Sequence, residues 1–219
     1  MKKFFVKSIP IVSWSSDHAL NFRPRTLTLC ILCAGLIIFG MGDALLIASG
    51  AGNSPWTVFS QGVSEISGWS IGVATFLTSL GVLFLWIPLK QKLGLGTILN
   101  AVIISIAIEF FLPYLPLPDS YALQVVQAGL GILLVGLGSG LYLIANLGPG
   151  PRDGLMTGVL RVTNLPVARV RTVIEVTVLF LGWLLGGTLG LGTLMFALGI
   201  GPAVSLGLSL VNYFSTRST

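Results

Sequence analysis

Long apolar stretches alternate with short polar segments along most of the chain. A membrane-spanning helix needs about 20 mostly apolar residues, because each residue rises about 1.5 Å and the hydrocarbon core is about 30 Å thick. Stretches of this kind predict six spans, at residues 27–49, 69–89, 95–113, 121–145, 170–187 and 193–214. The predicted organisation is a cytoplasmic lead over residues 1–26, a single membrane domain over 27–214 and a short cytoplasmic tail over 215–219.

The basic residues predict the orientation of these spans. All 12 Lys and Arg residues fall on one side: Lys2, Lys3, Lys7, Arg23, Arg25, Lys90, Lys92, Arg152, Arg161, Arg169, Arg171 and Arg217. The segments on the opposite side carry only Glu65 and Asp119. Because cytoplasmic loops are enriched in Lys and Arg, both termini are expected in the cytoplasm. The expected location is the bacterial inner membrane, crossed several times.

Aromatic residues are predicted to mark the two membrane surfaces, as they do in many membrane proteins. Trp69, Tyr114 and Tyr121 fall at the outer boundary, and Trp86, Tyr142 and Tyr213 at the inner one. In the lead, Trp14 and Phe22 are expected to contact lipid headgroups.

The composition excludes a soluble protein and a nucleic-acid binder. Hydrophobic residues make up 54% of the 219 residues, charged residues only 9%, and the mean hydropathy is +0.95. Soluble domains usually carry about 25% charged residues. The net charge of +5 comes from clusters between the apolar stretches, which set topology and do not form a nucleic-acid surface. The bilayer is therefore the expected partner.

Neither an enzyme nor a metal or cofactor site is expected. Cys30 and Cys33 lie in an apolar run with no second pair of ligands. The sequence Gly40-Met41-Gly42-Asp43 matches the G-x-G-D pattern of intramembrane aspartyl proteases, but that chemistry needs a second carboxylate and no other Asp lies within a predicted span. Ser139 lacks a base, because the only histidine, His18, lies in the lead.

The chain repeats itself with a period of 96 residues. Gly94-Leu95-Gly96-Thr97 returns as Gly190-Leu191-Gly192-Thr193, and Gly52 and Pro55 return as Gly148 and Pro151. Each half, about 27–113 and about 121–214, contains three predicted spans. Since three is odd, the second half enters the membrane from the opposite side. The predicted fold class is an all-α membrane protein, an inverted 3+3 repeat with two short helices.

The two short helices follow the first and fourth spans, at equivalent positions of the halves. Each segment opens with Gly and Pro and continues for about 13 helical residues, or about 20 Å, too short to span the membrane. One interpretation is a pair of re-entrant helices that line a site near the midplane, where a helix N-terminus favours a small anion or a carbonyl oxygen. The other is a pair of amphipathic helices in the interface, with no ligand. The candidate solute-binding residues are Asp43, Gly52, Asn53, Pro55, Trp56, Gly148, Gly150, Pro151, Arg152 and Asp153.

Three carboxylates fall within predicted spans, namely Asp43, Glu109 and Glu175. Such residues are functional candidates, although Asp43 and Glu109 lie near the outer ends, within reach of interfacial water. Arg171 and Glu175 are four residues apart on one helix face and are predicted to form a structural ion pair. Arg169 is a candidate partner for Asp153, which would hold the second short helix in place.

Several of these motifs together resemble the YczE/YitT-type bacterial membrane proteins. They are Gly52-x-x-Pro55-Trp56, the segment Gly148-Pro149-Gly150-Pro151-Arg152-Asp153-Gly154-Leu155-Met156, Arg169-x-Arg171 with Glu175, Gly182-Trp183-x-x-Gly186-Gly187 and Gly190-x-Gly192-Thr193. The similarity covers roughly residues 27–213. It departs at Thr57, where a carboxylate is more usual. The resemblance implies a polytopic membrane protein and adds little about a substrate.

Two functions follow as hypotheses. The first is binding or passage of a small solute or anion at the interface of the two repeats. The alternative is a non-transporting membrane scaffold or regulator, or the membrane component of a larger complex. A homo-oligomer and a separate protein partner are both compatible with the sequence.

Overall fold

The protein is all-helical over the residues that its computed structural model describes, 9–217. The elements are α1 (Thr26–Ser49), α2 (Pro55–Ser67), α3 (Ile71–Trp86), α4 (Leu95–Phe111, extended by a 3-10 turn at Leu112–Tyr114), α5 (Tyr121–Ala145), α6 (Pro151–Thr163), α7 (Val167–Leu184) and α8 (Leu191–Arg217). The all-α prediction is confirmed. The predictions for Lys2, Lys3 and Lys7 and for residues 218–219 lie outside the described residues.

Within residues 9–217, four helices are long and apolar enough to cross a membrane: Thr26–Ser49, Leu95–Tyr114, Tyr121–Ala145 and Leu191–Ser215. A fifth is obtained if α2 and α3, which meet at a bend of 115°, are taken as one broken span. The six predicted spans exceed this number for a physical reason. Helix α3 has only 16 residues, and α7 carries three charged residues within its 18. The protein is therefore a multi-pass membrane protein with four or five spans recognised by length and composition.

Helices α1 and α5 form the centre of the fold and pack closely through glycines. A methyl group added at Gly42 would come within 2.7 Å of the Gly131 carbonyl oxygen, and one at Gly138 within 2.5 Å of the Gly35 oxygen. Small residues allow helix backbones to approach in a lipid environment, where tight packing replaces the hydrophobic effect. Helix α4 packs beside α1, and α8 packs beside α5.

The segments before the two short helices are held by matching hydrogen bonds. The Gly192 N–H donates to the Ala51 carbonyl at 2.7 Å, and the Gly96 N–H donates to the Leu147 carbonyl at 2.7 Å. In both pairs the residues of one half are bonded by those of the other, and the pairs are related by the 96-residue shift. The segment before α2 is thus bonded to the first turn of α8, and the segment before α6 is bonded to the first turn of α4.

Glycine is required at one position of each segment. Gly52 has φ +110° and Gly148 has φ +112°, a backbone conformation that disfavours any side chain. Each glycine also lies against the first turn of a helix in the other half, Gly52 beside Gly190 and Gly148 beside Gly94. The matching glycines seen in the sequence repeat therefore correspond to one backbone geometry that occurs twice.

Each short helix packs against a helix of the other half, α6 against α3 and α2 against α7. At the two equivalent contacts, the glycine is on the short helix in one pair and on the long helix in the other. The Trp86 ring of α3 lies against Gly154 of α6, and its Nε1 donates to the Pro151 carbonyl at 3.0 Å. At the equivalent contact, Gly182 of α7 lies against the backbone of Val58 and Phe59 in α2. The prediction that Trp86 belongs to an inner aromatic belt is wrong, because the ring is buried between two helices.

The lead packs across one end of the helix bundle. Trp14 is buried, and its Nε1 donates to Ser215 Oγ at 3.0 Å. The Ser16 N–H donates to the Ala145 carbonyl at 3.1 Å, and Asn146 Nδ2 donates to the Ser16 carbonyl at 2.8 Å. The expectation that Trp14 contacts headgroups is therefore wrong, whereas Phe22 is exposed.

The contact between Gly154 and Trp86 gives a stability prediction. The added methyl group of Gly154→Ala would lie 1.9 Å from the Trp86 ring, so α3 and α6 must separate. We expect a loss of about 1–3 kcal/mol, the usual cost of overpacking a core. Thermal unfolding in detergent measures it. Gly81→Ala in α3 is the matched control, because an added methyl group there meets nothing within 4 Å. Equal unfolding temperatures for the two variants would contradict the prediction.

Candidate functional site

Side chains from the first turns of α2 and α6 contact each other. Trp56 and Arg152 are the second residues of these helices and are related by the 96-residue shift. The Arg152 guanidinium carbon lies 5.5 Å from the centroid of the Trp56 ring, a cation–π contact. Trp56 and Arg152 are each half-buried. The two sequence-predicted short helices therefore place one candidate residue each at a common point.

The two helix N-termini differ in how they are capped. Ser54 caps α2, since its Oγ accepts from the Thr57 N–H at 3.2 Å. Helix α6 begins after Gly150, which has no side chain to provide a cap. The first turn of α6 instead carries the charged pair Arg152 and Asp153. The charges of the site therefore come from the second half of the chain.

Asp153 is held by a tyrosine from α5. The Tyr142 hydroxyl donates to Asp153 Oδ2 at 2.7 Å, and the Tyr142 ring is buried. Two predictions are corrected here. Tyr142 does not belong to an inner aromatic belt, and Asp153 does not pair with Arg169, whose side chain is exposed. The Tyr142 hydroxyl on α5 is uncharged. Asp153 therefore gains a hydrogen bond without the cost of removing a second charged group, such as Arg169, from water.

Asp43 lies on α1 in an environment without hydrogen-bond partners. Asp43 is 1% exposed, and neither of its carboxylate oxygens has a hydrogen-bond partner in the part of the chain that the structure describes. The expectation that it reaches interfacial water is therefore wrong. Phe39, one helical turn before Asp43, contacts the Tyr142 ring at 6.4 Å between centroids, and Tyr142 bonds to Asp153, the neighbour of Arg152. The charge of Arg152 thereby acts on Asp43, but among the described residues the two groups form no ion pair. Among the described residues, no hydrogen bond or ion pair engages the Arg152 guanidinium either. The interior thus holds two opposite charges without direct partners.

A small, partly open cavity of about 60 Å³ adjoins Arg152. Its lining combines charged and apolar side chains: Trp56, Arg152, Asp153, Met156, Arg171, Ile174 and Glu175. Arg171 Nε donates to Glu175 Oε1 at 2.9 Å, so the ion pair expected from their spacing is present at the cavity wall. Because Arg171 and Glu175 neutralise each other, Arg152 is the lining cation without a carboxylate bonded to it.

The other sequence-predicted site residues shape the backbone and do not line the cavity. Gly52, Pro55, Gly148, Gly150 and Pro151 turn the chain into α2 and α6. Asn53 is buried and donates through Nδ2 to Gln61 Oε1 at 2.9 Å. Gln61 in turn donates to Thr188 Oγ1 at 2.9 Å, which ties α2 to the segment after α7.

Glu109 has a structural role in this arrangement. Its Oε2 accepts from the Gly72 N–H at 3.0 Å, in the first turn of α3. A carboxylate is favoured at a helix N-terminus, where N–H groups lack partners within the helix. Glu109 therefore joins α4 to α3 and does not belong to the cavity.

The sequence interpretation missed Tyr142, Met156 and Ile174. A sequence signal exists for Tyr142. Gly131, Val135, Gly138 and Tyr142 follow one face of α5 at helical spacing, and the first three contact α1. No comparable pattern identifies Met156 or Ile174, which are apolar residues among many.

Comparison with known proteins gives a family and several relatives. The profile of a family of unknown function, DUF6198, matches residues 26–208. An uncharacterized protein of Haemophilus influenzae is 41% identical over 206 residues, 94% of each chain. The uncharacterized membrane protein YczE of Bacillus subtilis is 36% identical over 196 residues, 85% of this chain and 89% of its own.

A second Bacillus subtilis protein, the uncharacterized protein YyaS, is 30% identical over 171 residues, 74% of this chain and 82% of its own. No solved structure matches the chain. The resemblance to YczE-type membrane proteins is confirmed.

Removal of the Tyr142 hydroxyl tests its bond to Asp153. We expect Tyr142→Phe to lower the free energy of unfolding by about 1 kcal/mol, because one hydrogen bond is lost and Asp153 remains accessible to water. Thermal unfolding in detergent measures the change. Tyr121→Phe, at an exposed tyrosine on the same helix, is the control and should unfold like the unmodified protein. An unchanged Tyr142→Phe variant would show that the bond contributes nothing.

Proposed function

The chain belongs to the DUF6198 family, whose function is unknown, and we propose that it binds a small organic anion in the cavity beside Arg152 and carries it across the bacterial inner membrane. The observation that carries this proposal is the Arg152 guanidinium. It is a cation in the interior of a membrane protein, it lines a cavity, and no carboxylate is bonded to it.

The proposed architecture is an inverted 3+3 repeat with six crossings and both termini in the cytoplasm. Three features support it: the 96-residue shift that relates the anchors of the short helices, the equal backbone geometry of Gly52 and Gly148, and the exchange of packing between α2–α7 and α3–α6. In this arrangement α3 and α7 are the two additional crossings. The three charged residues of α7 then lie at the cytoplasmic entrance of the span.

Re-entrant short helices are favoured over interfacial ones by the contact between Trp56 and Arg152. In an inverted repeat, interfacial helices would lie on opposite membrane surfaces, about 30 Å apart. Side chains of tryptophan and arginine cannot bridge that distance. The 5.5 Å contact therefore supports an arrangement in which both helices begin inside the membrane. Paired re-entrant helices of this kind are typical of transporter binding sites.

The chemistry of the cavity favours a carboxylate-bearing ligand. A planar guanidinium binds a carboxylate through two parallel hydrogen bonds. The unpaired N–H groups at the start of α6 add a favourable partial charge for an anion. Trp56, Met156 and Ile174 supply apolar walls, as in most small-molecule sites. A small anion with an apolar body matches the chemistry of both parts of the lining.

Cysteine labelling tests the proposed crossings. Single cysteines are introduced at Ser70, Lys92, Leu165 or Leu189 in a variant that lacks both native cysteines. A maleimide that cannot cross membranes should label Ser70→Cys and Leu189→Cys in intact cells, because these positions face outward. Lys92→Cys and Leu165→Cys should react only after the cells are opened. Labelling of Leu165→Cys and Leu189→Cys on the same side would exclude a crossing by α7.

Binding of benzoate to the detergent-purified protein tests the proposed ligand class. We expect saturable binding in isothermal titration calorimetry, and no binding of benzamide, its uncharged analogue. Arg152→Gln should weaken benzoate binding roughly 10- to 100-fold, because a charge-assisted hydrogen-bonded pair is lost. Arg161→Gln removes a charge from the exposed side of the same helix and should bind normally.

A protein that binds none of a panel of small aromatic and aliphatic carboxylates would contradict the proposal. The same holds if Arg152→Gln binds as well as the unmodified protein. Either result would favour the alternative, a membrane scaffold or regulator, and would direct the search to protein partners.

A further inference from the structure

The most unusual group in the interior is Asp43. It lies in the outer half of α1, a membrane-spanning helix, and both of its oxygens are buried without a hydrogen-bond partner. The cost of burying an ionised carboxylate in this way is large, and such a group takes up a proton instead. A neutral carboxylic acid is tolerated far better at the same place. The position therefore favours the protonated form unless the charge of a nearby cation offsets the cost of ionisation.

The neighbouring charged groups determine when Asp43 can ionise. Helices α4, α5 and the turn at Leu112–Tyr114 pack against α1. On α4, Glu109 is engaged by the Gly72 N–H, and on α5, Tyr142 is engaged by Asp153. Contacts from Phe39, one turn before Asp43, through Tyr142 to Asp153 link this part of α1 to the start of α6. There Arg152 is the charged group that acts on Asp43. Asp43 and an anion bound in the cavity would thus share one cation.

A metal ion is a poorer occupant of this position than a proton. Metal cations need several oxygen or nitrogen ligands around them. The described residues contain no group of three His, Cys, Asp or Glu side chains that could hold one. The unpartnered oxygens of Asp43 likewise have no polar neighbour within hydrogen-bonding distance. A proton requires only the carboxylate itself.

We propose that Asp43 is a proton-binding site coupled to the anion site at Arg152, so that a proton and an anion bind to the protein together. This inference rests on the proposed anion binding. Without the anion, the Arg152 charge stabilises an ionised Asp43. With the anion on Arg152, an ionised Asp43 would face an added negative charge and lose its counterion, so its carboxylate takes up a proton from water. The two ligands then enter and leave as a neutral pair.

Coupling of this kind is reciprocal. If anion binding promotes proton uptake, a lower pH must strengthen anion binding by the same factor. The buried neutral state of the loaded site also suits movement through the membrane, because the pair of proton and anion adds no net charge. Asp43 therefore changes the proposed activity from passive anion passage to uptake driven by a proton gradient.

The experiment measures benzoate affinity between about pH 6 and pH 9, a range in which benzoate stays ionised. In the unmodified protein the dissociation constant should rise with pH, by up to about tenfold per pH unit. Asp43→Asn carries an uncharged group of equal size, so its affinity should be independent of pH and close to the low-pH value. Calorimetry in two buffers of different ionisation heat should show proton uptake on binding only when Asp43 is present.

Ser139→Ala is the matched control. Ser139 occupies the position on α5 that corresponds to Asp43 under the 96-residue shift, and its hydroxyl bonds to the Val135 carbonyl of its own helix. This variant should keep the full pH dependence. Benzoate binding with the same pH slope in Asp43→Asn as in the unmodified protein would overturn the coupling and leave the anion site intact. Absence of benzoate binding at every pH would overturn the anion site itself.

Discussion

Every buried backbone N–H and C=O group within a membrane must find a partner inside the protein, and the two non-helical segments before α2 and α6 meet this requirement by bonding to the opposite half. The carbonyls of Ala51 and Leu147 accept from Gly192 and Gly96, and the Pro149 carbonyl accepts from Thr97 Oγ1 at 2.7 Å. These bonds allow the chain to leave helical geometry in the interior. The start of each short helix, the contact of Trp56 with Arg152 and the adjoining cavity all depend on them.

The two halves repeat one backbone plan but differ in chemistry. Trp56 in the first half corresponds to Arg152 in the second, and Thr57 corresponds to Asp153. On the central pair of helices, Asp43 corresponds to Ser139. Each exchange pairs a charged side chain with an uncharged one. Each of these charges therefore has an uncharged equivalent in the other half. In a strictly symmetric protein, two equivalent side chains of the same charge would face each other and repel.

The backbone plan could be predicted from the sequence better than the side-chain environment. Gly and Pro at matching positions predict the 13-residue helices α2 and α6, because these residue types tolerate few alternative conformations. The burial of Trp86 and Tyr142 could not be predicted in the same way. An amphipathic aromatic suits a membrane surface and a helix interface equally well, and for Trp86 it is the opposing Gly154 that makes room in the interface. Span counting was similarly limited for α3 and α7, since their length and charge fall near the limits for a membrane helix.

The bonds between distant parts of the chain also constrain how it is made. The Ala51 carbonyl bonds to the Gly192 N–H, and 141 positions separate the two residues along the chain (192 − 51). Ala51 is therefore synthesised well before its partner. At about 5–20 residues per second, translation leaves this carbonyl and helix α2 without their final contacts for roughly seven to thirty seconds. During that time the polar backbone before α2 must stay near water or be shielded by the insertion machinery. In the proposed re-entrant arrangement, entry of α2 into the bilayer interior is therefore a late event in biogenesis, completed only after α8 has begun to emerge.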